Sequence, residues 1–177
     1  MNDFLRKLGF ICDMQIEVDA LKSDFVRVFR DQVDDDDLGL MSDTLDVFKS
    51  SKNDFKGKIN DSGFVIKRRR RFFSNRMNYA KAHGFISQED DKLVIDVEVN
   101  AFHKMFYVWY LIIPLFYVVA ITTFLATGEA DFVFPVFFLI FHALFMLGLP
   151  FFMMRAAASR FAKALEREFV YIAAKGK

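Results

Sequence analysis

The densest group of chemically active side chains is a run of five consecutive cations. Side chains of a strand alternate between its faces, so this run places positive charge on both faces of any strand that contains it. Such density favours contact with anionic lipid headgroups or a phosphorylated ligand, at about 1 kcal/mol per well-placed cation. The structural alternative is a solvated edge strand, protected from aggregation by its charge and paired with the acidic residues 34–37. The five cations are Lys67, Arg68, Arg69, Arg70 and Arg71.

A second candidate site lies within two long apolar stretches, in which His142 is the only acidic, basic or imidazole side chain. A titratable group at membrane depth is a functional hypothesis by default. Pro114 has no backbone N–H, so the carbonyl of Tyr110 loses its usual donor, and His142 or the hydroxyl of Tyr117 is placed to satisfy such a polar group. We therefore predict an intramembrane polar site of His142, Tyr117 and Pro114, with either a structural role or one in proton or ligand transport.

No pattern in the sequence indicates catalysis. There is no nucleophile beside a base, no metal-ligand spacing and no glycine-rich phosphate loop. The acidic residues 34–37 lack the alternating ligands and the glycine of a calcium loop, and we expect them to form a solvated loop. The single cysteine, Cys12, cannot form an internal disulfide. We expect a protein that is not an enzyme and that holds no metal or cofactor.

Two uncharged apolar stretches, residues 105–126 and 132–154, set the domain organisation. Each is longer than the 18 or so apolar residues that cross a bilayer core, and the connection between them is too short for a domain. We predict a transmembrane helical hairpin over residues 105–154. It follows a soluble domain over residues 1–104 and precedes a C-terminal helix over residues 155–177.

The basic residues around the hairpin predict its orientation, because Lys and Arg favour the cytoplasmic side. The connection over residues 127–131 contains neither, whereas Lys104 precedes the first stretch and Arg155, Arg160, Lys163 and Arg167 follow the second. We therefore predict a multi-pass protein of the cell inner membrane with both termini in the cytoplasm.

The soluble part is predicted to be α+β. An apolar helix face over residues 20–33 covers an antiparallel sheet of about four to five strands, and a further helix is expected over residues 42–49. Residues 1–104 carry 18 Lys or Arg and 19 Asp or Glu, and this near-neutral balance gives no support for a nucleic-acid partner. The strands are predicted over residues 14–19, 54–60, 63–73, 80–88 and 92–100.

The C-terminal residues 155–177 continue as an amphipathic helix with Phe161, Leu165, Phe169 and Ile172 on one face. That face fits two locations equally well. It is expected either to dock onto the soluble domain or to lie on the membrane surface.

Residues 55–71, F-K-G-K-I-N-D-S-G-F-V-I-K-R-R-R-R, are followed by Gly84-Phe85-Ile86 and the strand over residues 93–99. This part of the chain resembles small, uncharacterised bacterial two-span membrane proteins with a cytosolic β-rich domain that is loosely similar to a pleckstrin-homology domain. The resemblance implies no catalytic residue. Here the predicted covering helix precedes the strands, whereas a pleckstrin-homology domain ends with its helix.

Two functions fit these features. The first is a membrane-anchored binding or scaffold module, with the lipid bilayer and either anionic lipids or a membrane protein as partners. The second is an oligomeric, channel-like membrane effector that is gated by a cytosolic ligand-binding domain, which leaves a homo-oligomer open.

Overall fold

The computed structural model describes residues 2–36, 38, 53–69, 80–103, 105–127 and 133–176. The chain divides into two units. The first is formed by Met1–Ala101 with Arg155–Lys177, and the second by Phe102–Met154.

The first unit is α+β. Its predicted elements lie within a few residues of the observed ones, apart from the helix over residues 42–49 and the end of the strand over residues 63–73, which fall outside the described residues. In chain order, its described elements before the last helix are α1 (Asn2–Lys7), β1 (Ile11–Val18), α2 (Lys22–Asp31), β2 (Val33–Asp35), β3 (Phe55–Ile59), β4 (Gly63–Arg68), β5 (Lys81–Glu89) and β6 (Lys92–Asn100).

The six described strands form one mixed sheet in the order β1-β6-β5-β4-β3-β2. β3 to β6 follow one another as antiparallel neighbours, and β1 adds to β6 antiparallel. β2 pairs parallel to β3, with Val33 opposite Phe55. The prediction of a wholly antiparallel sheet with four to five strands is therefore wrong in strand number and in this pairing. The acidic β2 has no apolar alternation of its own, so its sequence does not predict a strand.

Helix α2 covers one face of this sheet. Phe25 and Phe29, one helical turn apart, are both fully buried, and the ring of Phe29 meets that of Phe64 edge-on at a centroid distance of 5.2 Å. No side chain caps the start of the helix, but the backbone N–H of Lys22 donates to Gln88 Oε1 at 2.9 Å. The covering helix that the apolar spacing predicted over residues 20–33 is observed as α2, and its apolar face packs into this core.

The second unit consists of α3 (Met105–Thr127) and the first part of α4 (Val133–Lys175). Two contacts between the helices, Tyr110 with Leu147 and Tyr117 with His142, join residues in opposite chain order, so the helices are antiparallel. Both are long and apolar enough to cross a membrane, by length and composition. Pro150 lies inside α4 and does not end it.

The C-terminal part of α4 belongs to the core of the first unit. Phe161, Leu165, Phe169 and Ile172, the apolar face predicted from sequence, are all buried there. Of the two locations that the sequence left open for residues 155–177, the structure shows docking onto the α+β unit. The ring of Phe169 lies 5.2–5.7 Å from three other core rings, those of Phe25, Phe29 and Phe64.

Candidate functional site

The described part of the basic run is divided between the two faces of the sheet. Lys67 and Arg69 are only 3% and 7% exposed, and they lie on the face opposite the one that carries the core. Arg68 lies on the core side, with its side chain 30% exposed and its Nη2 3.8 Å from Asp54 Oδ2. Arg70 and Arg71 fall outside the described residues. Lipid contact by the five cations stays a prediction, and Arg68 is the most exposed of the three described.

Strand register places further lysines beside Lys67. Lys56 of β3 and Lys81 of β5 are its direct cross-strand partners, and such partners have Cβ atoms about 4.5–5.5 Å apart. Lys56 is fully buried, with Nζ 3.7 Å from Asp36 Oδ2. Lys81 Nζ donates to the carbonyl of Leu38 at 3.3 Å. We refer to the following side chains as the cationic row: Lys56, Lys67, Arg69 and Lys81.

Arg69 is held at one end of this row by an acidic partner. Its Nη2 lies 2.6 Å from Asp34 Oδ2, and Asn53 Nδ2 donates to Asp34 Oδ1 at 2.8 Å. Its backbone N–H donates to the carbonyl of Asp54 at 2.9 Å. Two further donors of its guanidinium, Nε and Nη1, are buried and have no hydrogen-bond partner among the described residues. The guanidinium is therefore fixed in place but only partly satisfied.

The acidic residues opposite the row differ from the solvated loop that the sequence predicted. Asp34 and Asp35 belong to β2, and the side chains of Asp34 and Asp36 are only 25% and 13% exposed. They pair with Arg69 and Lys56. The prediction of a solvated loop is thus wrong for Asp34 and Asp36, because sheet pairing brings them beside buried cations. Asp37 lies outside the described residues.

The other half of the same sheet face is open and carries an exposed aromatic ring. Phe85 of β5 is 73% exposed and stands opposite Asp96 of β6. Sequence analysis missed this ring, although its position was a signal, because the inward alternation of Ala82, Gly84 and Ile86 turns Phe85 to the outer face. The groove beside it has a volume of about 660 Å³ and is lined by Met14, Phe85 and Val97 together with the polar or acidic residues Asp13, Gln15, His83, Asp96 and Glu98.

Arg6 pairs with two carboxylates of this groove, and its single positive charge compensates for only one of them. Its Nε lies 2.6 Å from Asp13 Oδ2 and its Nη2 lies 2.5 Å from Glu98 Oε2. The hydrogen bond to Asp13 raises the pKa of Arg6 above its ordinary value, so Arg6 keeps its charge at any pH at which these carboxylates are ionised. The groove therefore joins an acidic rim to one exposed aromatic ring.

In the second unit, the structure brings together two members of the predicted polar site. The Tyr117 hydroxyl and His142 Nδ1 are hydrogen-bonded, and the imidazole tautomer decides which of them donates. The ring of Phe138 stacks on His142 with centroids 6.0 Å apart. Tyr117 is buried whereas His142 is exposed. Pro114 lies in α3, three residues before Tyr117.

A further polar contact between these helices was not predicted. The Tyr110 hydroxyl donates to the carbonyl of Leu147 at 3.1 Å. Leu147 lies in the turn before Pro150, and the carbonyl that this proline leaves without a backbone donor is that of its neighbour Met146. The sequence therefore carries no direct signal for the contact at Leu147.

Within the described part of the chain, no group of three or more His, Cys, Asp or Glu side chains is placed to hold a metal ion. Comparison with known proteins finds no family model, no curated protein and no solved structure that matches this chain. Its function has to be inferred from its own residues and their geometry.

Proposed function

We propose that the protein is a membrane-anchored binding or scaffold module, in which α3 and the first part of α4 cross the membrane as a hairpin and the first unit binds a partner. The observation that carries this proposal is the exposed apolar surface of the two helices. Within their most apolar stretches, only 6% of residues in α3 and none in α4 are buried. The exposed side chains include Leu111, Leu115, Phe134, Phe137, Phe141 and Leu144.

This exposure argues against two core helices of a soluble protein, which the same length and composition would otherwise fit. Core helices bury their apolar side chains within the chain, whereas a contiguous apolar surface of this size needs a lipid or protein environment. Helices that are apolar on all sides and long enough to cross the hydrocarbon core are best explained by lipid.

The distribution of basic residues supports an orientation with both termini in the cytoplasm, in the inner membrane of a bacterium. Residues 128–132, between the helices, include Glu129 and Asp131 but no Lys or Arg, whereas Arg155 and Arg160 follow the apolar part of α4. Positive residues near a span favour the cytoplasmic side. In this orientation the cationic row and the groove beside Phe85 face the cytoplasm.

The groove supports a protein as one binding partner. An aromatic ring that is 73% exposed is rare at the centre of a sheet face and is typical of a contact residue. The carboxylates around Phe85 complement basic side chains. The favoured partner is therefore a protein segment that presents an apolar side chain beside Lys or Arg.

Cysteine labelling tests the anchor and its orientation. In a Cys12→Ser background, Ser23→Cys reports on the first unit, where Ser23 is exposed, and Ala130→Cys reports on the connection between the helices. We expect a membrane-impermeant maleimide to label Ala130→Cys in intact cells and Ser23→Cys only after lysis. The reverse pattern would contradict the orientation, and release of the protein by alkaline carbonate would contradict the anchor.

Native mass spectrometry of the full-length protein in a mild detergent tests the binding role. We expect a monomer with a co-purified protein that is lost in Phe85→Ser. Phe4→Ser is the matched control, because Phe4 is also an exposed aromatic residue, 64% exposed, on α1. Equal retention of the co-purified protein in both variants would remove the groove from the binding surface.

The exposed His142 favours a second candidate, an oligomeric membrane effector gated by the first unit. A polar ring that faces lipid is costly, and a helix from a second copy would cover it. This function predicts a defined homo-oligomer and an altered membrane permeability in His142→Ala. A strict monomer in lipid would rule it out.

A further inference from the structure

The cationic row contains like charges in an arrangement that is unfavourable by itself. Lys67 stands directly opposite Lys56 on one side and Lys81 on the other. Like charges in directly opposed positions of a sheet destabilise it. Burial strengthens the effect, because Lys56 is 0% and Lys67 is 3% exposed and the dielectric screening of water is reduced there. A stable row of this kind needs negative charge close to it.

Two described carboxylates lie beside members of the row. Asp36 pairs with Lys56, and Asp34 pairs with Arg69. The contact between Asp34 Oδ2 and Arg69 Nη2 is short, at 2.6 Å, but it is not aligned as a hydrogen bond. Asp34 thus fixes the guanidinium by charge and leaves its other donors for a different acceptor.

Arg69 provides the observation that points to a ligand. Its side chain is 6% exposed, and its Nε and Nη1 are buried without a hydrogen-bond partner among the described residues. Leaving a buried charged donor unsatisfied is costly, and native structures resolve such cases with an ordered water or an ion. Beside three lysines, an anion gains far more than a water molecule does. A guanidinium also matches the oxygens of a phosphate group in geometry.

We propose that the cationic row is a binding site for a single phosphate group, with Arg69 as the hydrogen-bonding anchor and Lys56, Lys67 and Lys81 as the surrounding charge. The group is either free phosphate or part of an anionic headgroup. The low exposure of Lys67 and Arg69 excludes a nucleic-acid backbone as the ligand, because such a backbone needs an open basic surface. The inference rests on the proposed binding role and names the chemistry of one ligand.

Thermal unfolding of the full-length protein in a neutral detergent tests the site without a membrane. At constant ionic strength, inorganic phosphate is expected to raise the midpoint relative to chloride, because a ligand of the folded state stabilises it. The phosphate affinity is expected to fall about tenfold or more in Arg69→Gln. Arg30→Gln is the matched control, since Arg30 is 58% exposed and pairs with Asp61, and it is expected to keep the wild-type affinity.

A second variant keeps the test decisive if Arg69→Gln alone does not fold. Asp34→Asn combined with Arg69→Gln removes both partners of the ion pair, so no charge is left uncompensated, and this variant is expected to fold without responding to phosphate. An unchanged phosphate response in either variant would overturn the assignment of Arg69.

Nanodiscs distinguish the two sources of the phosphate group. Stabilisation by phosphatidylglycerol over phosphatidylcholine that is lost in Arg69→Gln would identify a headgroup, whereas a response to inorganic phosphate alone would identify a free ligand. If neither stabilises the protein, the proposal is wrong and water satisfies the guanidinium. Cysteine labelling of the hairpin is independent of these results, so a failed anion site and a failed membrane anchor are distinguishable.

Discussion

At the scale of single residues, Gly84 shows how closely the sheet and its core are fitted. A Cβ at this position would lie 2.1 Å from Cζ of Phe64, far inside a normal contact. Phe64 cannot move away freely, because its ring packs against Phe29 and Phe169 with centroids 5.2 and 5.4 Å apart. Glycine is needed here for the space that it leaves to an aromatic ring.

Gly84→Ala is therefore expected to lower the free energy of unfolding of the first unit by about 1–3 kcal/mol, through overpacking. Denaturant unfolding of the full-length protein in detergent, followed by hydrogen exchange in the strands, measures the change. Gly148→Ala is the control, because a Cβ there meets nothing within 4 Å. Phe64→Leu in the Gly84→Ala background should recover part of the loss. Equal effects at Gly84 and Gly148 would contradict the packing explanation.

The exposure of Phe85 cannot be predicted from the alternation of its own strand. Its neighbours Gly84 and Ile86 are buried on the core side, so alternation alone turns Phe85 outward. Whether an outward ring is covered depends on what lies over that face of the sheet. The structure leaves it 73% exposed, and this exposure makes it a candidate contact residue.

At the scale of elements, the end of α4 completes the core of the first unit. Phe169 is fully buried and its ring meets rings from α2 and β4. α4 therefore takes part in two environments along its length, an exposed apolar one up to Phe152 in the second unit and a protein core within the first unit, which α4 enters at Arg155. Two helices that are far apart in the sequence, α2 and the end of α4, therefore pack into the same core.

Phe169→Ala is expected to lower the free energy of unfolding of the first unit by about 3–5 kcal/mol, because it removes a buried ring and leaves a cavity. Thermal or denaturant unfolding of the full-length protein measures the loss. Tyr171→Ala serves as the control, since Tyr171 is an aromatic residue of the same helix that is 57% exposed. A comparable loss in the control would show that the helix end does not depend on its buried face.

At the scale of the whole molecule, the two units place their apolar side chains in opposite ways. The first unit buries them between the sheet and its covering helices, whereas the second exposes them along α3 and the first part of α4. Water favours the first arrangement and disfavours the second. This contrast is the physical basis for the proposed membrane anchor.

Leu144→Arg tests this contrast, because Leu144 is 68% exposed on the apolar part of α4. A charge near the middle of a span costs about 2.5–3.5 kcal/mol on insertion scales, so a smaller fraction of the protein should insert. Membrane fractionation and carbonate extraction measure that fraction. Val170→Arg is the control, since Val170 lies on the same helix within the first unit and is 53% exposed, and its insertion should be unchanged. Normal insertion of Leu144→Arg would contradict the span.

The sequence by itself determined the elements whose signal is the period of their own apolar residues. Alternation predicted β6 with the bounds that the structure shows, and helical spacing predicted the core face of α2. Two long uncharged stretches predicted α3 and the apolar part of α4. These patterns are local, since each element repeats its environment every two or every 3.6 residues.

Only the tertiary structure decided the features that depend on distant partners. β2 is a strand because β3 lies beside it, and the end of α4 is a core helix because its aromatic rings meet those of α2. Lys67 and Arg69 are buried beside Lys56 and Asp34, which strand register brings to them. The sequence of a run of cations does not show whether water or protein surrounds its side chains. The pairing of remote strands therefore decides whether such charges form a solvated edge or a buried site.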